Sequence, residues 1–168
     1  MKLVIAVFVV AAVVRAACVS DPGGLVGCPG FTAVLSVQDR MSQAEKVFNP
    51  NEPITFGLEI TNTQNAPATL TAGSSCTAVV FEVNDSAGRR KWGSADNIAC
   101  IQMLQPQVFQ PLEAVTESGT WDQRSSDGSA VSPGSYVVTA TVGQYVGSDG
   151  AMLDCRAELG KSATFTIR

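Results

Sequence analysis

The sequence predicts an all-β protein, an antiparallel immunoglobulin-like β-sandwich of about seven or eight strands. Apolar and polar residues alternate along several short runs, and residues with strong turn preferences separate these runs. The chain also has only 15% charged residues, with 15 glycines and 8 prolines. Because no long helical pattern lies between the alternating runs, the strands are expected to pair as antiparallel neighbours in two packed sheets.

The first segment has the pattern of an export signal. Lys2 is followed by an unbroken apolar run, Leu3–Val14, and then by Ala16 and Ala17. The run is shorter than the ~20 residues that a membrane-spanning helix needs. We therefore interpret residues 1–17 as a secretory signal peptide, which predicts an exported protein of the bacterial cell envelope.

Cys18 leaves two fates open for the mature amino terminus. Lipidation of Cys18 would anchor the chain, and this anchor is the only membrane contact that the sequence predicts. However, Arg15 stands where lipoprotein signals usually carry an aliphatic residue, and cleavage after Ala16 fits the local sequence equally well. Both alternatives remain open. Residues 18–30, rich in Pro and Gly, are predicted to form a tether, and residues 31–168 one domain.

Seven stretches of the domain are predicted to be strands. The clearest has Ile54, Phe56, Leu58 and Ile60 on one face, as a half-buried strand requires. Two short stretches are predicted to be helical, Met41–Lys46 and part of Ile98–Leu104. In order, the predicted strands are Thr32–Gln38, Ile54–Thr61, Ala68–Thr71, Val79–Asn84, Glu113–Trp121, Tyr136–Val142 and Ala163–Ile167.

If Cys18 is set aside, four cysteines remain, which is enough for two disulfides. Disulfides are expected in an exported chain, and the spacing lacks the paired ligands of a zinc site. Of the three pairings that four cysteines allow, we favour Cys28–Cys155 and Cys76–Cys100. Each is expected to stabilise the fold by ~2–4 kcal/mol.

Composition argues against catalysis. The chain has no histidine, which removes the usual base of Ser-His and Cys-His pairs and the commonest zinc ligand. We predict no enzyme, no catalytic residue, no cofactor and no metal site, and interpret Asp149-Gly150 near Asp154 as a plain turn. A hydrolase that uses carboxylates alone is the remote alternative. Five carboxylates are predicted to lie at outward-facing or turn positions: Glu59, Glu82, Asp85, Glu113 and Asp122.

The middle of the chain, Val47–Val142, resembles the intracellular proteinase inhibitor (BsuPI) domain family. The resemblance rests on a strand ending at Thr61-Asn62 and on the order and spacing of residues after it. These residues are Asp85, Gly88, Trp92 opening the next strand, Gln102, Trp121 ending a strand, and Val131-x-Pro133-Gly134-x-Tyr136-x-Val138.

Three features depart from the family pattern. The family name describes an intracellular protein, Pro111-Leu112-Glu113 replaces an expected Pro-Gly turn, and Cys76 and Cys100 are additions. The resemblance implies a β-sandwich and protease inhibition, and it transfers no reactive-site residue.

Two segments are candidate partner loops. The first, Arg89-Arg90-Lys91, is interpreted as a solvated hairpin turn or, alternatively, as a loop that inserts into a partner's cleft. The second is the long segment Gly143–Lys161. Trp92 and Trp121 are predicted to be packing residues. The basic residues are too few for nucleic-acid binding, and the formal net charge is −4.

The sequence thus predicts a domain that binds a protein partner, with a protease as the named candidate. The alternative is an immunoglobulin-like envelope module that binds another surface protein or a glycan.

Overall fold

The computed structural model describes residues 27–74, 78–96, 98–146 and 152–168. Over these ranges the chain forms twelve strands and one short helix. In chain order they are β1 Phe31–Gln38, β2 Val47–Phe48, β3 Ile54–Asn62, β4 Ala68–Ala72, β5 Val79–Asp85, β6 Arg90–Gly93, β7 Gln105–Phe109, β8 Ala114–Trp121, β9 Gly134–Val142, β10 Gln144–Val146, β11 Met152–Asp154, α1 Arg156–Leu159 and β12 Lys161–Ile167.

The strands form three sheets. A three-stranded sheet has the order β1-β3-β8, a five-stranded sheet has the order β2-β12-β9-β5-β6, and a four-stranded sheet of short strands has the order β11-β10-β4-β7. All neighbours pair antiparallel except β2 and β12, which pair parallel. The predicted all-β sandwich is confirmed, with more strands than expected. The additional strands β2, β6, β7, β10 and β11 are two to five residues long, and none of them has a run of alternating apolar residues that would identify it.

Aromatic side chains join the three-stranded sheet to the five-stranded sheet across the core. Phe56 of β3 lies with its ring centroid 6.1 Å from that of Phe81, 6.0 Å from Trp92 and 5.8 Å from Phe165. Phe56, Phe81 and Phe165 are buried, as the alternating pattern predicted for their strands. Each large apolar side chain buried in this way stabilises the fold by roughly 1.5–3 kcal/mol.

The prediction that two stretches are helical is wrong. Neither Met41–Lys46 nor Ile98–Leu104 is helical, and the helix of the described chain is Arg156–Leu159. The Asp39 carboxylate accepts hydrogen bonds from the backbone amides of Met41 and Gln43, which stabilises a turn in place of a helix.

A disulfide joins Cys28 to Cys155, as predicted, with the Cα atoms 4.9 Å apart. Both cysteines are buried, so the last residues of the predicted tether are fixed to the domain. Cys100 is also disulfide-bonded. The signal peptide, Cys18, most of the tether and Cys76 lie outside the described residues, so the Cys76–Cys100 pairing stays a prediction. In the part of the chain that the structure describes, no helix has the length and apolar character needed to span a membrane.

Candidate partner-binding loops

Two connections meet at one end of the sandwich. The basic turn, residues 85–91, joins β5 to β6, and the serine loop, residues 122–133, joins β8 to β9. A cleft of about 270 Å³ lies between them, with Asp85, Arg89 and Lys91 on one side and Ser129 and Ser132 on the other.

The basic turn is organised by Asp85. Its carboxylate accepts hydrogen bonds from the backbone amides of Ala87 and Arg89, and Gly88 supplies the positive φ of 76° that the turn requires. The side chains of Arg89 and Lys91 also contact this carboxylate, at 2.8 Å and 3.3 Å. These hydrogen bonds, first of all the one from the Arg89 amide, lower the pKa of Asp85 to about 2.

The third cation of the turn, Arg90, bridges two carboxylates. Its Nε lies 2.9 Å from Glu82 and its Nη2 lies 2.5 Å from Asp96. Each member of the predicted partner loop Arg89-Arg90-Lys91 is therefore ion-paired within the domain. This surface is a nearly neutral network, and a role in partner binding stays a prediction for it.

Asp96 connects the basic turn to the serine loop. Besides the bond from Arg90, its carboxylate accepts hydrogen bonds from the backbone amide of Gly93 at 2.9 Å and from the Ser126 hydroxyl at 2.5 Å. The Arg90 guanidinium is the main cause that lowers the pKa of Asp96. The amide and hydroxyl of Ser126 are also close to the Lys91 carbonyl, at 2.7 Å and 3.1 Å. Strand β6 and the serine loop thus converge on one carboxylate.

The tip of the serine loop is an exposed hairpin with its own hydrogen bonds. The Ser125 amide donates to the Ser129 carbonyl at 2.8 Å, and the Gly128 amide donates to the Ser125 carbonyl at 2.7 Å. Asp127 accepts hydrogen bonds from the amide and the hydroxyl of Ser129. Residues 126–130 are all exposed, so this hairpin is both ordered and accessible.

Buried polar side chains hold the base of the serine loop. Gln123 is 3% exposed; its Nε2 donates to the carbonyls of Asn49 and Glu52, and its Oε1 accepts from the Asn51 amide. Trp121 is fully buried and donates from Nε1 to the Arg124 carbonyl. Sequence reasoning missed the roles of Gln123 and Asp96, because neither belongs to a periodic pattern or a known turn signal.

Other residues of the family pattern also contribute to this end. The Tyr136 hydroxyl donates to the Ser132 carbonyl at 2.5 Å, closing the serine loop where β9 begins, near Pro133 and Gly134. Trp92 is half-buried, and its ring lies 6.4 Å from that of Trp121. Gln102 lies elsewhere, in an exposed segment.

That segment, Ile98–Leu104, is a second exposed surface, here called the apolar segment. It follows Asp96 in the connection from β6 to β7 and has neither helical nor strand structure. Ile98, Ile101, Met103 and Leu104 are all exposed. Sequence reasoning considered part of this stretch as a short helix and Gln102 as a residue of the family pattern. The signal that could have identified it is the absence of charge from Asp96 to Glu113.

The other predicted partner loop, Gly143–Lys161, is described only in part, because residues 147–151 lie outside the described ranges. Its described parts include β10, β11 and α1, and the buried Cys155 fixes it to Cys28. Arg156 forms an ion pair with Asp154 and lowers the pKa of that carboxyl to about 2. Asp149-Gly150 falls outside the described residues.

The carboxylates considered for catalysis are dispersed. Glu59 is exposed on β3, Glu113 accepts a hydrogen bond from the Gln110 amide, and Asp122 is part of a long ion pair with Arg124. Glu82 and Asp85 are ion-paired with the basic turn. Across the described ranges, no group of three or more His, Cys, Asp or Glu side chains is arranged to hold a metal ion.

The described residues thus form a β-sandwich of mostly antiparallel strands with exposed, internally braced loops at one end. The family pattern described as intracellular proteinase inhibitor (BsuPI) matches residues 41–145, more than half of the chain. The chain belongs to this family. Among curated proteins, none matches the chain.

Solved structures with some similarity include a β-glucosidase from Erythrobacter marinus, at 15% identity and a TM-score of 0.45, over 82% of this chain. A DNA-bound alkylpurine DNA glycosylase from Pseudomonas fluorescens has 17% identity and a TM-score of 0.43 over 83% of this chain. The chain spans only 15% and 30% of these two proteins. The CARDB domain of a Pyrococcus furiosus protein has 10% identity and a TM-score of 0.44. That match covers 89% of this chain and 98% of the CARDB domain.

Proposed function

We propose that this chain is an exported, non-catalytic domain that inhibits a protease by binding it through exposed loops. The observation that carries the proposal is membership in the intracellular proteinase inhibitor family over residues 41–145. The apolar run at the start of the sequence supports export, and we propose a target protease in or near the bacterial envelope.

The bracing of the loops supports binding by a preformed surface. A loop that is ordered before binding loses less conformational entropy in the complex, so more of the contact energy appears as affinity. Asp96 ties the serine loop to the basic turn, and Gln123 fixes the base of the serine loop. The exposed side chains of this end are therefore presented on a rigid frame.

Inhibition is tested with the mature protein against purified serine, cysteine and metalloproteases. Residual activity is measured while the concentration of the domain is raised to the micromolar range. We expect at least one protease to lose activity in a saturable, stoichiometric manner. If no member of the panel is inhibited, the proposed function is refuted.

Export is tested separately by mass spectrometry of the protein purified from its native envelope. Acyl chains on Cys18 would establish a lipid anchor, whereas a free Ala17 would establish ordinary signal-peptide cleavage. An intact precursor in the cytosol, with its thiols reduced, would contradict the export half of the proposal.

A further inference from the structure

We propose that the apolar segment, Ile98–Leu104, is the part of this domain that enters the substrate cleft of its target, a protease with pockets for large apolar side chains. This inference rests on the proposed function and makes it more specific. It assigns the contact to the β6–β7 connection in preference to the basic turn.

Exposure is the first observation. Ile98, Ile101, Met103 and Leu104 are 56%, 59%, 47% and 67% exposed, and they fall within seven consecutive residues. They make up four of the ten large hydrophobic side chains that are exposed among the described residues. A concentrated apolar surface on a folded protein typically marks a contact with another molecule.

Charge is the second observation. No charged residue occurs between Asp96 and Glu113, although the chain carries 26 Lys, Arg, Asp and Glu residues in total. Specificity pockets of proteases match the side chain that they receive; some carry a carboxylate for a basic residue, and others are apolar slots. An uncharged segment with Ile, Met and Leu fits an apolar slot and excludes one that requires a cation.

Backbone form is the third observation. Ile98–Leu104 has neither helical nor strand structure, in a domain where most other long stretches are paired strands. A peptide bound in an extended form gains affinity from main-chain hydrogen bonds and specificity from pockets for its side chains. A stretch outside the sheets can offer its side chains to such pockets, while the Ile98 amide already donates to the Ala95 carbonyl at 3.4 Å.

The segment is also fixed at both ends. Before it, the Ser94 amide donates to the Phe81 carbonyl at 2.8 Å and the Ser94 hydroxyl accepts from the Phe81 amide at 3.0 Å. After it, Gln105 begins β7, paired with Ala72 of β4. Within it, Cys100 is disulfide-bonded. These restraints reduce the entropy that the segment loses when it is held in a cleft.

The test compares three forms of the mature protein. In the first variant, Ile101→Ser, Met103→Ser and Leu104→Ser are combined; Val34→Ser, which changes a side chain 64% exposed on β1, is the matched control. Inhibition constants are measured against chymotrypsin and subtilisin, which accept large apolar residues, against trypsin, which does not, and against any protease captured from the native envelope. Circular dichroism and thermal unfolding establish that both variants are folded.

We expect the wild-type protein to inhibit an apolar-specific protease and not trypsin. The triple variant should weaken this inhibition at least tenfold, whereas the control should change it less than twofold. In a second measurement, backbone amides of Ile98–Leu104 should gain protection from hydrogen exchange when the protease is added.

Three outcomes would overturn the assignment. Equal inhibition by the wild type and the triple variant would place the contact elsewhere and leave the proposed function intact. Loss of self-association in the triple variant, with unchanged inhibition, would make the segment an interface between copies of this chain. Absence of inhibition by the wild type would refute the proposed function itself, and the assignment with it.

Discussion

The Ser126 hydroxyl donates a 2.5 Å hydrogen bond to the carboxylate of Asp96, thirty residues earlier in the chain. This contact joins the serine loop to the start of the β6–β7 connection. The same carboxylate is ion-paired with Arg90. Its charge therefore holds together the basic turn, the serine loop and the start of the β6–β7 connection.

We therefore expect Asp96→Asn to lower the free energy of unfolding by about 1–2 kcal/mol, since it removes the charge from bonds to Arg90, Gly93 and Ser126. The control is Asp122→Asn, because the ion pair of Asp122 with Arg124 is long, at 3.9 Å, and exposed. The control should change stability by less than about 0.5 kcal/mol. Urea unfolding measures both, and equal effects would contradict the role assigned to Asp96.

Stability is expected to fall in acid. The folded-state pKa of Asp85 and that of Asp154 are both lowered to about 2 from 3.8. A lowered folded-state pKa means that the unfolded chain binds protons first, so this stabilisation is present above about pH 4 and is lost as the pH falls toward 2. The urea midpoint, measured from pH 6 to pH 2, should decrease in this window.

The substitution Asp85→Asn should flatten part of that decrease, because the side chain can no longer ionise. Glu45→Gln is the control, since Glu45 is exposed and has no ion pair among the described residues. A profile for Asp85→Asn that matches the wild type over pH 4–2 would refute the assignment.

Removing the Cys28–Cys155 disulfide is expected to cost about 2–5 kcal/mol, because the bond closes a very long loop in the unfolded chain. The two cysteines are 127 residues apart and almost fully buried. The double substitution Cys28→Ala and Cys155→Ala avoids burying new polar groups. Thermal unfolding of this variant beside the wild type measures the effect, and an unchanged midpoint would show that the bond adds nothing to stability.

The cluster of aromatic rings around Phe56 is expected to be the part of the core most sensitive to truncation of a side chain. Phe56→Ala should lower the free energy of unfolding by about 3–5 kcal/mol, since Phe56 contacts Phe81, Trp92 and Phe165 and has no exposed surface. Val34→Ala, at an exposed position of β1, should change it by less than about 0.5 kcal/mol. Guanidinium unfolding distinguishes them, and a similar loss for both would argue against a core centred on Phe56.

The long strands could be predicted because burial on one face imposes a period of two on their sequence. Ile54–Asn62 and Gly134–Val142 illustrate this, with predicted edges within two residues of those observed. Strands β10 and β11 could not, since each has three residues, and β10 depends on pairing with the distant strand β4 while β11 pairs with β10. The same applies to Asp96 and Gln123, whose roles depend on partners that only the folded chain brings near.

The Cys28–Cys155 bond encloses residues 28–155 in a covalent ring, and both the serine loop and the apolar segment lie inside it. If a target protease hydrolysed one peptide bond in either surface, the two pieces would remain one molecule. Such a nicked domain would keep its strands paired and its new chain ends close together. Proteolysis at these positions would therefore not release a fragment.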